Sequence, residues 1–189
     1  MLHSLSYLLL TYLVASIPSG LIVGILHSDR DPREEGSGNI GASNVYRLMG
    51  AKPGLLTLSG DMLKGMLPTL LAMQIFASVA MVGMVAVTAF LGHCFSGYLA
   101  FRGGKGVATA GGALLAMSPV ATIVGIAMWA CVFWGTRKAS IASLTVAGVM
   151  PILIWTTNPA WIVWSVILTI GVGIRHRANI ERLQQGTEL

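Results

Sequence analysis

From Leu5 to Leu26 the chain runs for 22 residues without a formal charge. As a helix, such a run crosses about 30 Å of hydrocarbon. Similar apolar runs cover 54–75, 77–95, 104–118, 119–136, 140–157 and 159–175. Charged residues make up only 10% of the chain, against about 25% in a soluble domain. The expectation is an all-α integral membrane protein with about seven transmembrane helices, a single domain over residues 1–189. The first run has no basic segment before it, only His3, and is too long for a signal peptide, so it reads as a retained helix. Cys94 and Cys131 lack metal-ligand spacing and imply no disulfide framework. They read as small buried hydrophobes.

Charge orients the helices. The segments after the first, third, fifth and seventh runs hold Arg30, Arg33, Arg47, Lys52, Arg102, Lys105, Arg137, Lys138, Arg175, Arg177 and Arg182, whereas the segments after the others hold no Lys or Arg. Eleven against none places the N-terminus outside and the C-terminus and basic segments in the cytoplasm. Topological bias explains the net charge of +5 better than a nucleic-acid partner does, and none is expected. The 31 residues between Lys105 and Arg137 would break this pattern as one helix. A break at Ser118-Pro119 restores it, because the residue before proline disfavours the α region. The first helix of that pair then starts near Gly103 or Gly104.

Polar motifs cluster on the basic side. In EGSGNIGASNVYR (35–47), Gly36, Gly38 and Gly41 permit positive φ, and such turns can aim successive N–H groups at one anion. Ser37, Asn39, Ser43 and Asn44 add side-chain donors, and Arg47 adds a charge with the geometry for phosphate. A short interfacial helix over Asn44 to Met49 would bring a helix N-terminus to the same point. The plainer reading is a flexible connecting loop. FRGGKG (101–106) places Lys105, after Gly104, on a glycine-rich turn that enters a helix, which also suits phosphate. It lacks Walker A spacing. His93 reads as a packed histidine. Asp61 and Lys64 share one helix face; both are functional suspects inside a membrane, though a structural ion pair is favoured for Asp61. In the tail, His176 and Asn179 are three apart and face the same way, the alternative being a basic anchor on anionic lipid. Ser140 reads as a helix N-cap. Two basic, glycine-rich anion sites on one face suggest two phosphate-bearing ligands, at least one with an apolar tail.

SIPSG at 16–20, GSGNIGASNV, GDMLKG, GH-x-F, FRGGKGVAT and RHRANIERLQQGTE follow one another along nearly the whole chain. Together they resemble the bacterial acyl-phosphate:glycerol-3-phosphate acyltransferases, the PlsY family. The chain departs from the family at Ile40 and Ser96, where proline is usual, and at Ser43, where threonine is usual. The resemblance implies a seven-helix enzyme of the bacterial inner membrane with its active site facing the cytoplasm. It implies transfer of a fatty acyl group from acyl phosphate to the 1-hydroxyl of glycerol 3-phosphate, giving lysophosphatidic acid and phosphate, with no metal or other cofactor. A functional link to the enzyme that makes acyl phosphate follows. The resemblance places binding and catalysis at Ser37, Asn39, Arg47, Lys105, Ser140, His176 and Asn179. Ser37, Lys105, His176 and Asn179 are then the catalytic candidates. Gly36, Gly38, Asn39, Gly41, Ser43, Asn44, Arg47, Gly104 and Ser140 are the substrate-binding candidates. Whether His176 or a substrate phosphate takes the proton stays open, as does which cation serves which phosphate. A transporter of a phosphorylated metabolite would more often show internal repeats and polar residues at the midplane. The chain has no clear repeat, and its polar motifs lie toward one face.

Overall fold

The computed structural model describes residues 2–188. Among these, ten α-helices and two single-turn 3-10 helices form the fold, with no strand. They are α1 (Leu2–Ser16), α2 (Ser19–Ser28), α3 (Ala42–Met49), α4 (Ala51–Ile75), α5 (Val79–Cys94), α6 (Val107–Met117), α7 (Pro119–Thr136), α8 (Ala139–Thr157), α9 (Ile162–Arg175) and α10 (Arg177–Gln184). By length and composition, Leu2–Ser28, Val79–Leu99, Pro119–Thr136 and Ala139–Thr157 each suffice to cross a membrane. Pro159–Arg175 with Arg177–Gln184, bent by 55°, makes a fifth if counted as one span.

Several boundaries differ from the sequence reading. The first apolar run is two helices, because Pro18 has no N–H to continue the ladder. The Ser118-Pro119 break is present, with proline in the first turn of α7. The helix before it starts later than Gly103 or Gly104: Gly106, at φ +80, caps α6, and 103–106 is non-helical. Cys94 is buried as expected, but Cys131 is exposed on α7.

Exposed leucine, isoleucine and valine coat the outer helix faces, such as Leu9, Leu71, Ile123 and Val163, as a lipid solvent requires. Inside, Phe90, Leu114, Met117, Ile154, Leu168 and Val172 form a core between α5, α6, α8 and α9. Lipid gives apolar helices no hydrophobic reason to associate, so close approach of small residues matters more. The α4–α6 crossing shows this: a Cβ on Gly65 would stand 1.9 Å from the Thr109 carbonyl oxygen, and one on Gly112 2.0 Å from that of Met62. This crossing fixes α6, and with it the glycine-rich turn at its start.

Candidate active site

Three polar segments, distant in sequence, meet at one open cleft of ≈ 490 Å³. Ser37 and Asn39 come from the loop before α3, Lys105 from the turn before α6, and Arg175, Arg177, Asn179 and Arg182 from the α9–α10 corner. Phe95 and Ile174 form its apolar side. A second cleft of ≈ 390 Å³ is lined in part by Gly38 and Gly103. Its lining mixes Arg33 and Arg102 with Glu34, and Arg33 is already paired with Asp31 at 2.5 Å. The first cleft is the better anion site.

The loop before α3 is held from within. Gly36 and Gly38 adopt φ +61 and +66, so the sequence expectation holds for them. Gly41 does not: at φ −76 it caps α3 and donates its N–H to Asn39 Oδ1 at 2.8 Å. Asn44 is 2% exposed. Its Oδ1 accepts from the Ser37 N–H at 2.9 Å, and its Nδ2 donates to the carbonyls of Pro32 at 2.9 Å and Glu35 at 3.2 Å. Its amide therefore staples the loop rather than facing the cleft. Ile40 is buried with its carbonyl packed against Gly20 of SIPSG, where a Cβ would come within 1.8 Å. That contact braces the loop at a position where proline would otherwise stiffen it. Ser96 likewise uses its hydroxyl, donating to the Ser16 carbonyl at 2.5 Å. Ser43 is exposed on the first turn of α3, and Arg47 is exposed on its last. Arg47 still contributes positive potential at Lys105.

The GGKG turn rests on a buried platform. Gly103 and Gly104 donate their N–H groups to the carbonyls of Cys94 and His93, each at 3.1 Å. The His93 ring lies directly beneath Gly104; a Cβ there would stand 2.2 Å from His93 Nε2. His93 Nδ1 is 3.5 Å from Asp61 Oδ1, and Lys64 Nζ is 2.7 Å from the same oxygen. All three side chains are buried. Asp61 and Lys64 thus form a buried ion pair within the bundle, and His93 is packed against it. Burial is the largest influence on Lys105, whose pKa falls to about 8; Arg182, Arg47 and Arg175 push the same way and Glu188 opposes them.

His176 sits at the corner between α9 and α10 and is 2% exposed. Its Nδ1 lies 2.8 Å from the Val172 carbonyl. A carbonyl can only accept, so Nδ1 carries the hydrogen and neutral Nε2 keeps its lone pair. Burial lowers the His176 pKa, the Val172 bond opposes this, and Lys105 and Arg175 reinforce it. Burial thus favours the neutral ring, whose Nε2 lone pair is the one able to accept a proton.

Arg175, Arg182 and Glu188 were not singled out by the sequence. Asn179 Nδ2 donates to Glu188 Oε1 at 2.6 Å, and Arg182 Nε donates to Glu188 Oε2 at 2.8 Å. Burial would raise the Glu188 pKa, but contacts from Asn179, Ser140 and Arg182 outweigh it and hold the carboxyl ionised. Ser140 lies on the second residue of α8, past the cap position expected for it. Its buried Oγ makes no hydrogen bond of ordinary geometry among the described residues, although it stands near enough to favour the Glu188 carboxylate. The Asn179–Arg182 spacing of three offered a sequence signal, being one helix face. Glu188 offered none, because its partners are met only after the chain turns at Gly186.

A family model described as glycerol-3-phosphate acyltransferase matches residues 5–186. A glycerol-3-phosphate acyltransferase of Syntrophotalea carbinolica is 46% identical over 184 residues, covering 96% of this chain and 94% of the relative. One of Trichlorobacter lovleyi is 46% identical over 179 residues, covering 94% and 92%. Among solved structures, the glycerol 3-phosphate form of PlsY, an integral membrane glycerol 3-phosphate acyltransferase, superposes with a TM-score of 0.93 at 33% identity, over 99% of this chain and 94% of that one. Its lysophosphatidic acid form gives 0.91 at 32% identity, with the same coverage.

Proposed function

The chain belongs to the glycerol-3-phosphate acyltransferase family, and from that premise we infer how its cleft performs the transfer. It is an integral membrane acyltransferase that acylates glycerol 3-phosphate to lysophosphatidic acid. We propose that the donor is acyl phosphate, that the acceptor is the 1-hydroxyl, and that one membrane domain over 1–189 does the work. The observation that carries this is the convergence of Ser37, Asn39, Lys105, Asn179 and Arg182 on one cleft with an apolar flank. Two anions must be held together beside an acyl chain, and this lining supplies cations, amide donors and a greasy side.

In this reading Lys105 and the turn at Gly104 bind the phosphate of glycerol 3-phosphate. Arg47, with Ser43 and the loop of Gly36 and Gly38 that Gly41 and Asn44 brace from within, receives the phosphate of the donor. Ser37 and Asn39 hydrogen-bond the donor near its carbonyl, and Ser140 and Asn179 orient the acceptor. His176 Nε2 accepts the hydroxyl proton as the oxygen attacks the acyl carbon. The bond from that carbon to the phosphate oxygen breaks, and the proton passes to the departing phosphate. Acyl phosphate is a mixed anhydride with a good leaving group, so positioning and electrostatic stabilisation suffice without a covalent acyl-enzyme.

We further propose that the helices cross the bacterial inner membrane seven times: α1–α2 together, then α4, α5, α6, α7, α8 and α9. The N-terminus lies outside and the cleft faces the cytoplasm. α6, with 11 residues, covers only about 16 Å. The irregular turn that carries Lys105 continues it to the cytoplasmic edge, its backbone buried in protein at Gly104 and Gly106. A donor made by a separate soluble or peripheral enzyme would reach the cleft from the cytoplasmic leaflet.

Purified protein supplied with acyl phosphate and glycerol 3-phosphate should release phosphate and form lysophosphatidic acid. Acyl-CoA should not replace the donor, and a chelator should leave the rate unchanged. Turnover with acyl-CoA alone would overturn the donor assignment.

A further inference from the structure

Arg175 ends α9, one residue before His176. Its side chain reaches back to the turn that carries Lys105. Nε donates to the Gly104 carbonyl and Nη2 to the Gly103 carbonyl, each at 3.1 Å. The guanidinium also lies over the Phe95 ring, 5.1 Å from its centroid. One planar fork thus spans two successive carbonyls in a fixed geometry that a rotatable ammonium does not impose.

The peptide plane gives this contact a consequence. Across a trans peptide, C=O and N–H point in opposite directions. The unit joining Gly103 and Gly104 is held at both ends, by Arg175 at its carbonyl and by the His93 carbonyl at its N–H, 3.1 Å away. The unit joining Gly104 and Lys105 is held only at its carbonyl. Its N–H, that of Lys105, makes no hydrogen bond among the described residues. Arg175 therefore turns that donor away from itself and leaves it unspent, on the residue whose ammonium enters the cleft. The turn has several glycines and few conformational restraints of its own, so the two bonds from α9 supply what the sequence of the turn does not. The same side chain sets the span between Lys105 and the His176–Asn179 corner, because Arg175 and His176 are adjacent.

We propose that Arg175 is a positioning residue for acyl transfer: it locks the GGKG turn so that Lys105 presents its amide and ammonium to the substrate phosphate at a fixed distance from His176. The proposal rests on the assignment of Lys105 to glycerol 3-phosphate, and the experiment separates the two.

Arg175→Gln should lower kcat/KM for glycerol 3-phosphate by roughly 10- to 100-fold, the scale of lost charge-assisted bonds. The loss should fall mainly on KM for that substrate. Arg175→Lys should recover only a small part, and millimolar guanidinium should restore much of the activity of Arg175→Ala. In a double-mutant cycle, Arg175→Gln should cost clearly less in the Lys105→Ala background than in the wild type, since both changes act on the ammonium contact and only the amide of residue 105 remains to be misplaced. A merely structural role would give multiplying losses and no rescue. Near-wild-type kinetics in Arg175→Gln, or losses that multiply with those of Lys105→Ala, would overturn the proposal while leaving the assignment of Lys105 intact. Full activity in Lys105→Ala would overturn both. If Arg175→Gln does not fold, the lysine variant and guanidinium rescue decide the matter.

Discussion

Lys105 sits where burial and neighbouring cations act in one direction. Burial first, then Arg182, Arg47 and Arg175, bring its pKa to about 8, against the opposing pull of Glu188. His176, whose own proton affinity Lys105 lowers, is the other titrating neighbour. A depressed lysine is protonated below its folded pKa and loses its charge as pH rises through it. The kcat/KM for glycerol 3-phosphate should therefore decline above about pH 8. A bound phosphate dianion favours the ammonium, so the matching decline in kcat should lie at higher pH. Lys105→Arg should be slower but should lose the alkaline decline, since a guanidinium does not titrate there. An unchanged alkaline limb in Lys105→Arg would assign it to another group. The sequence made Lys105 visible because a lysine among glycines at a helix start has few other uses. It did not reveal that Asn44 is spent on its own loop, because a donor-rich loop looks the same whether it bonds itself or a ligand. Arg175 was hidden for a related reason: its partners are carbonyls, which leave no mark in a sequence.

At the scale of elements, the apolar runs gave the helices and misjudged some of their ends. Pro18 splits the first run at α1–α2, and the GGKG turn delays α6 to Val107. Both sites combine an apolar average with a local backbone need, a missing donor in one case and a positive φ at Gly106 in the other. Hydropathy averages over such points. Spacing between helices was equally invisible, yet it governs the site, because α6 carries the Lys105 turn and is seated on α4. At Gly65 a Cβ would meet the Thr109 backbone at 1.9 Å, whereas at Gly111, on α6 itself, it would meet nothing within 4 Å. Gly65→Ala should destabilise the protein by about 1–3 kcal/mol through overpacking, despite alanine's higher helix propensity of about 1 kcal/mol. Gly111→Ala should be neutral or slightly stabilising. Thermal unfolding in detergent measures both, and activity should fall with Gly65→Ala as α6 shifts. Equal stability of the two variants would mean that the crossing yields without strain.

For the whole molecule, the proposed orientation rests on the distribution of charge. Eleven Lys or Arg lie in the segments after the first, third, fifth and seventh apolar runs, and none lies in the others. Cytoplasmic retention of short basic loops makes that asymmetry directional. Exposed aromatics bear on the length of a span rather than on its direction. Trp134, near the end of α7, is 73% exposed with Arg137 stacked 4.7 Å from its ring, at the basic end. Trp155, near the far end of the antiparallel α8, is 64% exposed at the uncharged end. Tryptophans prefer both headgroup regions alike, so the pair fits the two ends of a span while the charge asymmetry alone sets its direction. The cleft, with Lys105 and Arg182, lies at the basic end of the helices. A reporter fused after Glu188 should therefore read cytoplasmic, and one placed before His3 should read external. An odd number of crossings requires the two ends to differ. Both ends on one side would remove the seven-span count, and reversed ends would overturn the proposed cytoplasmic cleft.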